Sequence, residues 1–281
     1  MRTWFITGAS RGFGALVARK ALEAGDAVVA TARNPARITA QLGEHPNLLA
    51  LALDVTDEES AGDAVVQAVR RFGRIDVLLN NAGFGLLGAV EEASADEIEK
   101  VYATNVFGLL KVTRAVLPIM RTQRSGHVIN VSSIGGYVGF HGFGVYSSTK
   151  FAVEGLSEAL AIELAPLGVH VTVVEPGFFR TDFLDSTSLM VSPSIIPDYA
   201  DTVGVMREFA HGINHKQPGN PEKFADGLLA LAAMPNPPVR LPFGSDTLAA
   251  IEEKNAQVAD AIATHRALSL STDFAEEAEA A

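Results

Sequence analysis

Short, nearly continuous apolar runs alternate with longer amphipathic stretches along most of the chain. The runs are 3–7 (TWFIT), 27–32 (AVVATA), 48–53 (LLALAL), 76–80 (DVLLN), 127–132 (HVINVS), 169–175 (VHVTVVE) and, more weakly, 238–243 (PVRLPF). A strand with one wet face alternates apolar and polar positions, whereas a strand covered on both faces is apolar throughout. The runs therefore predict strands of a parallel sheet. Between them the helical spacing predicts helices near 12–24, 57–72, 96–121, 145–165, 221–234 and 246–265. Strand and helix in strict alternation imply an α/β fold. We expect a doubly wound, mostly parallel seven-stranded sheet flanked by helices, Rossmann-type, as a single domain over 1–265. Ligands of such sheets bind beyond the carboxyl ends of the strands.

Residues 178–220 break the pattern. They are long, carry Pro193, Pro197 and Pro218, and show no clear periodicity among their apolar side chains. A loop of that length after a strand end is expected to be a substrate lid.

Composition narrows the function classes. A net charge of −11 and a pI near 5.1 argue against nucleic acid as a partner, since nucleic acid attracts basic surfaces. There is no cysteine, which removes disulfides, thiol catalysis and cysteine metal sites, and no metal is expected. Asp273, Glu276, Glu277 and Glu279 make 266–281 an acidic tail, expected to be solvated. The chain enters its first strand almost at once, leaving no room for a signal peptide, and no apolar run reaches the ~20 residues of a membrane span. The expected setting is the cytosol, with no membrane partner.

The turn after the first strand reads TGASRGFG, Thr7 to Gly14. Gly8, Gly12 and Gly14 allow a tight turn and close approach of a pyrophosphate to the following helix N-terminus, with Ser10, Arg11 and Phe13 in the same turn. The spacing is G-x-x-x-G-x-G rather than the commoner G-x-G-x-x-G. Asp54, followed by Val55, ends the third strand, placed to bond an adenine amino group, while Asp57 suits the cap of the next helix better. Asn81, Ala82 and Gly83 in NNAG end the fourth strand and bring backbone against the middle of a dinucleotide. An acidic residue at the end of the second strand would bind the ribose 2′-hydroxyl of NAD. Here that end reads Thr31, Ala32, Arg33, Asn34. Arg33 and Arg11 suit a 2′-phosphate instead, so NADP(H) is expected ahead of NAD(H).

Tyr146 and Lys150 stand four residues apart in VYSSTK, on one helix face and thirteen residues after Ser133. An ammonium beside a phenol favours the phenolate and lowers a reference pKa of about 10, which would make the tyrosine a usable acid or base.

TGASRGFG, Asp54–Val55, NNAG, Asn105 in NVFG, Ser133 in INVSS, YSSTK and PGFFRT resemble, in type and order, the short-chain dehydrogenase/reductase family in its compact branch. The resemblance is close over about 3–180. It implies a catalytic set carried onto Asn105, Ser133, Tyr146 and Lys150, with Ser133 rather than Ser132 at the family's distance from the tyrosine. It implies that Lys150 also holds the nicotinamide ribose, as does Tyr146 nearby. Asn105 would hold a water that reconnects Lys150 to solvent, in a helix beginning near 104. Pro176, Gly177 and Thr181 match the family's turn against the nicotinamide amide, and basic residues at Arg11 and Arg33 mark its NADP-preferring members.

The expected activity is interconversion of a carbonyl and an alcohol on a hydrophobic substrate, a ketone or alcohol. Its pocket walls are expected from Phe84, Leu86, Leu87, Val138, Phe140 and Phe143, and from lid residues Phe178, Phe179, Phe183, Leu184, Leu189, Met190, Ile195, Ile196 and Tyr199. His141 is weighed as a substrate contact against a plain surface histidine. A helix near 104–121 that is apolar around more than one face, and the family habit of pairing through it, imply a homodimer or homotetramer. Two other readings are a non-catalytic NADP(H)-binding regulator, which predicts a broken Asn-Ser-Tyr-Lys set, and an NAD-dependent epimerase or dehydratase, which predicts the missing acid. A scaffold recruiting partners through its acidic tail would need apolar anchors there.

Overall fold

A computed structural model describes residues 1–274. In chain order the elements are β1 Thr3–Thr7, α1 Gly12–Glu23, β2 Ala27–Ala32, α2 Ala36–Leu42, β3 Leu48–Ala52, α3 Glu58–Phe72, β4 Val77–Asn80 and β5 Gly85–Leu87. Next come α4 Ala95–Tyr102, α5 Leu109–Gln123, β6 Gly126–Val131, α6 Gly144–Leu164, β7 Val169–Pro176 and β8 Leu189–Val191. The chain continues through α7 Val205–Ile213, α8 Pro221–Ala232, β9 Arg240–Phe243 and α9 Ser245–Leu270.

Seven strands form one sheet in the order β3-β2-β1-β4-β6-β7-β9, every pair parallel. Both faces are covered, as the unbroken apolar runs require. Trp4, Ile6, Val28 and Ala30 pack against α1, α2 and α8, while Phe5, Val29, Leu78 and Val128 pack against α3, α5 and the end of α6. The strand order reverses between β1 and β4, and the crevice there opens at the carboxyl ends of the strands.

Local signals set the helix ends. Asp57 caps α3 by accepting from the Glu59 and Ser60 amides at 3.0 and 3.3 Å, as expected from sequence. Ser94 and Glu97 close a reciprocal capping box at α4. The single helix expected over 96–121 is instead α4, a π-helical segment Ala103–Gly108, and α5. A β-carbon on Gly108 would lie 2.7 Å from Val55 Cγ2, so the glycine lets this wider turn sit against β3's continuation. Helix α9 runs past the expected 265 to Leu270; the acidic tail from 275 onward lies outside the described residues.

Residues 178–220 are more ordered than their sequence suggested. They contain a 3₁₀ turn at Asp182–Leu184, β8, a π-helical segment Ala200–Gly204 and α7. Strand β8 pairs in parallel with β5, a three-residue strand that the sequence did not reveal. Among the described residues no helix is long and apolar enough to cross a membrane.

Candidate active site

A cavity of about 720 Å³ occupies the crevice at the strand ends. One end is the glycine turn. Gly8 and Gly12 have φ of 67° and 54°, a region that side chains with a β-carbon disfavour. A β-carbon on Gly14 would stand 2.6 Å from both the Gly8 carbonyl and Asn81 Nδ2, so this glycine works by packing, behind the wall rather than in it. Asn81 Nδ2 donates to the Thr7 and Gly8 carbonyls at 2.9 and 3.1 Å, while Thr7 Oγ1 accepts from the Asn81 and Ala82 amides at 3.0 Å each. These bonds lock NNAG to the turn.

The N-terminus of α1 has Arg11 at its cap position and no side-chain cap. Its free amides and positive dipole end are what a pyrophosphate needs. Ser10, Arg11, Gly12, Phe13, Arg33, Asp54, Val55, Asn81, Ala82 and Gly83 all line the cavity at this end. Asp54 accepts from the Thr56 hydroxyl and amide at 2.7 and 2.9 Å through Oδ1, which holds its carboxyl below the usual range. Arg11 also reaches across the cavity mouth, where Nη2 donates to the Thr187 carbonyl at 2.5 Å. Among the described residues no acid lines the cavity at the end of β2. The donor set fits a dinucleotide.

The other end gathers Ser133, Tyr146, Lys150, Pro176, Gly177 and Thr181. The Tyr146 and Lys150 side chains leave one face of α6, as their spacing requires, and Lys150 Nζ lies 5.8 Å from the Tyr146 ring centre. Lys150 Nζ donates to the Val131 carbonyl at 2.8 Å. Both residues are 7 % exposed, and that burial overturns one expectation. Tyr146 is not lowered by the lysine. Burial pushes the phenol up to about 12, opposed by a hydrogen bond from the Ser133 side chain. Burial likewise pulls Lys150 down to about 8, against the nearby Glu154 charge. Spacing predicts which groups meet; the degree of desolvation is a property of the whole fold.

Asn105 lies within the π-helical segment rather than at a helix start, and is 1 % exposed. Its Oδ1 accepts from the Phe84 amide at 3.1 Å, and Nδ2 donates to the Phe84 carbonyl at 2.9 Å and Thr149 Oγ1 at 3.1 Å. It therefore stands behind the wall, clamping the strand after NNAG to α6. A β-carbon on Gly83 would sit 3.1 Å from Asn105 Oδ1 and 3.7 Å from Lys150 Nζ, so the three converge.

Apolar groups complete the cavity: Phe84, Phe140, Phe143, Phe183, Leu184 and Met206 among them, with Phe178, Phe179, Leu189 and Met190. Of the expected wall residues, Leu86 and Leu87 are instead buried in β5, while Val138, Ile195, Ile196 and Tyr199 do not line it. His141 is exposed and also absent from the wall. Sequence reasoning missed Met206, which α7 delivers, and Asp246, whose Oδ2 accepts from the Phe178 amide at 2.7 Å and fixes the turn after β7. Neither carries a local signal, because each arrives from a distant element. Among the described residues one group has metal-like spacing, Asp182, Asp185 and His215, whose ligand atoms lie within 4.8 Å of one another; Asp185 already bonds Asn214 at 2.6 Å.

Comparison with known proteins agrees with this architecture. The sequence pattern of the family described as short chain dehydrogenase matches residues 2–191. A 3-ketodihydrosphingosine reductase of Bacteroides thetaiotaomicron is 40 % identical, covering 85 % of this chain and 86 % of its own. A short-chain dehydrogenase from Streptomyces avermitilis superposes with a TM-score of 0.90 at 38 % identity, covering 97 % of this chain and all of the other (100 %). The structure of ElxO with NADP bound gives 0.73 at 29 % identity, over 88 % of this chain and 99 % of that one. With the family pattern matched and the seven-stranded sheet in place, this chain belongs to the short-chain dehydrogenase family.

Proposed function

We propose that the protein is an NADP(H)-dependent oxidoreductase that interconverts a hydrophobic ketone and its alcohol. The observation that carries this reading is the single cavity with an uncapped helix N-terminus and Arg33 at one end and Ser133, Tyr146 and Lys150 at the other. A bound nicotinamide supplies the hydride. Tyr146 Oη gives its proton to the substrate oxygen as negative charge grows there, and the Ser133 hydroxyl donates a hydrogen bond to the same atom. Lys150 holds the ribose and keeps a positive charge beside the phenol. A phenol kept neutral by burial holds the proton that carbonyl reduction consumes. Asn105 braces the wall through Phe84 and Thr149.

Arg33, with no acid at the end of β2, supports NADP(H) over NAD(H), as does the NADP held by ElxO. The phenylalanine-rich wall supports an apolar substrate, in keeping with a relative named for 3-ketodihydrosphingosine. Segment 178–220, which supplies much of that wall, serves as the lid. A homodimer or homotetramer is supported by Phe107 and Phe151, 53 % and 46 % exposed on the α5/α6 side. The test is to follow NADPH absorbance against a panel of apolar ketones, with Tyr146→Phe as control. Ketone-dependent oxidation abolished by that variant supports the assignment; full turnover without the phenol sinks it.

A further inference from the structure

Behind the cavity floor lies a buried charge cluster that carbonyl reduction leaves unemployed. Glu154 on α6 and Glu175 on β7 have side chains 4 % and 1 % exposed. Both accept from the same Nη1 of Arg240 on β9, at 2.6 and 2.7 Å. Glu158, one turn further along α6, takes the opposite edge of that guanidinium through Nε and Nη2 at 3.0 and 2.9 Å. The Tyr137 ring stacks 5.4 Å from Arg240 Cζ, and its hydroxyl donates to Asn255 of α9 at 2.5 Å. Lys150 stands one turn N-terminal to Glu154 on the same helix, and the Glu154 charge raises the lysine's pKa against the effect of burial. Counting Lys150 with Arg240, the group holds three carboxyls and two cations, so one proton makes it neutral.

Two buried carboxyls sharing a single nitrogen cannot both ionise without strong repulsion. Burial accordingly pushes Glu154 up to about 8; Glu175 adds to the rise, while Ser132 and Arg240 oppose it. Glu154 Oε1 and Ser132 Oγ are both buried without an aligned hydrogen-bond partner. They flank Gly136, where a β-carbon would collide with both. Ser132 immediately precedes Ser133, so this carboxyl sits directly beneath the loop that lines the cavity.

We propose that Glu154 is a positioning residue for Lys150: crowded against Glu175 on one guanidinium nitrogen, it keeps a proton that it surrenders to solvent in the lysine's place as the pH rises. Glu154 and Lys150 lose protons over the same range; once Glu154 yields its proton, the carboxylate holds the lysine charged, whereas a lysine that yielded first would leave the carboxyl protonated. When the Glu154 O–H bond breaks, the carboxylate left behind one turn along α6 helps to hold the ammonium charged. The ammonium is then available to the ribose above the pH at which burial alone would have discharged it. The consequence for turnover rests on the oxidoreductase reading above; the proton release from Glu154 does not.

Glu154→Gln tests this, because the amide keeps the shape and a donor but has no proton to release. The measurements are melting temperature from pH 6 to 9.5 and the Kd of NADPH, or of NADH if that binds instead, by cofactor fluorescence over the same range. A carboxyl that binds its proton more tightly when folded contributes stability at low pH that is lost as pH rises through about 8. The melting temperature of E154Q relative to the parent should therefore climb between pH 6 and 9. The alkaline weakening of cofactor binding should move about one pH unit lower, since Lys150 loses its safeguard. Glu175→Gln should give the same melting trend, and stands in if E154Q fails to fold. A melting difference constant with pH, or an unmoved break in Kd, overturns the proposal. Both shifts without any ketone turnover would preserve it and sink the oxidoreductase reading instead.

Discussion

Tyr146 shows how far a single residue's chemistry depends on what surrounds it. A phenol pushed up to about 12 remains protonated across the physiological range, so its removal deletes a proton donor and little else. Tyr146→Phe is expected to lower kcat by roughly 10²–10⁴-fold while leaving the NADPH Kd within about threefold, measured by steady-state kinetics and fluorescence titration. Arg33 offers the complementary test. Replacing it by Ala removes a charge-assisted contact of about 1.5–3 kcal/mol, expected to weaken NADPH by roughly 10–100-fold while leaving NADH binding nearly unchanged. Equal loss for both cofactors would argue that Arg33 does not read the 2′-phosphate. The sequence made Tyr146 and Lys150 legible because their spacing is local and repeats a helix period, and Ser133 legible through the family resemblance. It hid the direction of the Tyr146 shift, because burial by Leu87, Phe183 and Leu189 comes from segments far along the chain. Asp246 and Met206 were hidden for the same reason.

At the scale of elements, the apolar runs announced all seven strands of the main sheet, since burial on both faces writes itself into consecutive positions. Strand β5 escaped because three residues, Gly85–Leu87, are too few to show a pattern and are completed only by β8 about a hundred residues later. Helix α2 escaped because it has one fully buried side chain, Ile38, and so no apolar stripe. The β6/β7 pair carries a pH response of its own. His127 is buried, and its Nε2 lies 2.9 Å from Thr172 Oγ1. Burial, helped by the neighbouring His170, pulls its pKa down to about 4. The unfolded chain takes up that proton near 6.5, so the stability it contributes is whole above pH 6.5 and is lost as pH falls towards 4. Roughly 2–4 kcal/mol is involved. His127→Gln is expected to flatten the fall in unfolding free energy between pH 7 and 5, measured by urea denaturation; an unchanged slope would place the titrating group elsewhere.

For the whole molecule, the exposed aromatic pair on the α5/α6 side sets the assembly question. Phe107 and Phe151 remain half-exposed while Val106, Leu109, Val112 and Val116 of the same stretch are buried in the core. Light scattering on the eluting protein is expected to give a multiple of 29.7 kDa, and Phe107→Glu with Phe151→Glu to reduce it towards one chain. A parent protein that already elutes at one chain's mass would remove the premise.

Arg240 lies on the last strand to be made, at the outer edge of the sheet beside β7. Until the ribosome has passed residue 240, the α6 and β7 carboxyls lack their guanidinium and β7 presents an unpaired edge. Premature termination shortly before that point would therefore yield a polypeptide carrying every residue of the nucleotide crevice yet unable to neutralise its own interior. Such a fragment should aggregate or be degraded instead of persisting as a slow enzyme.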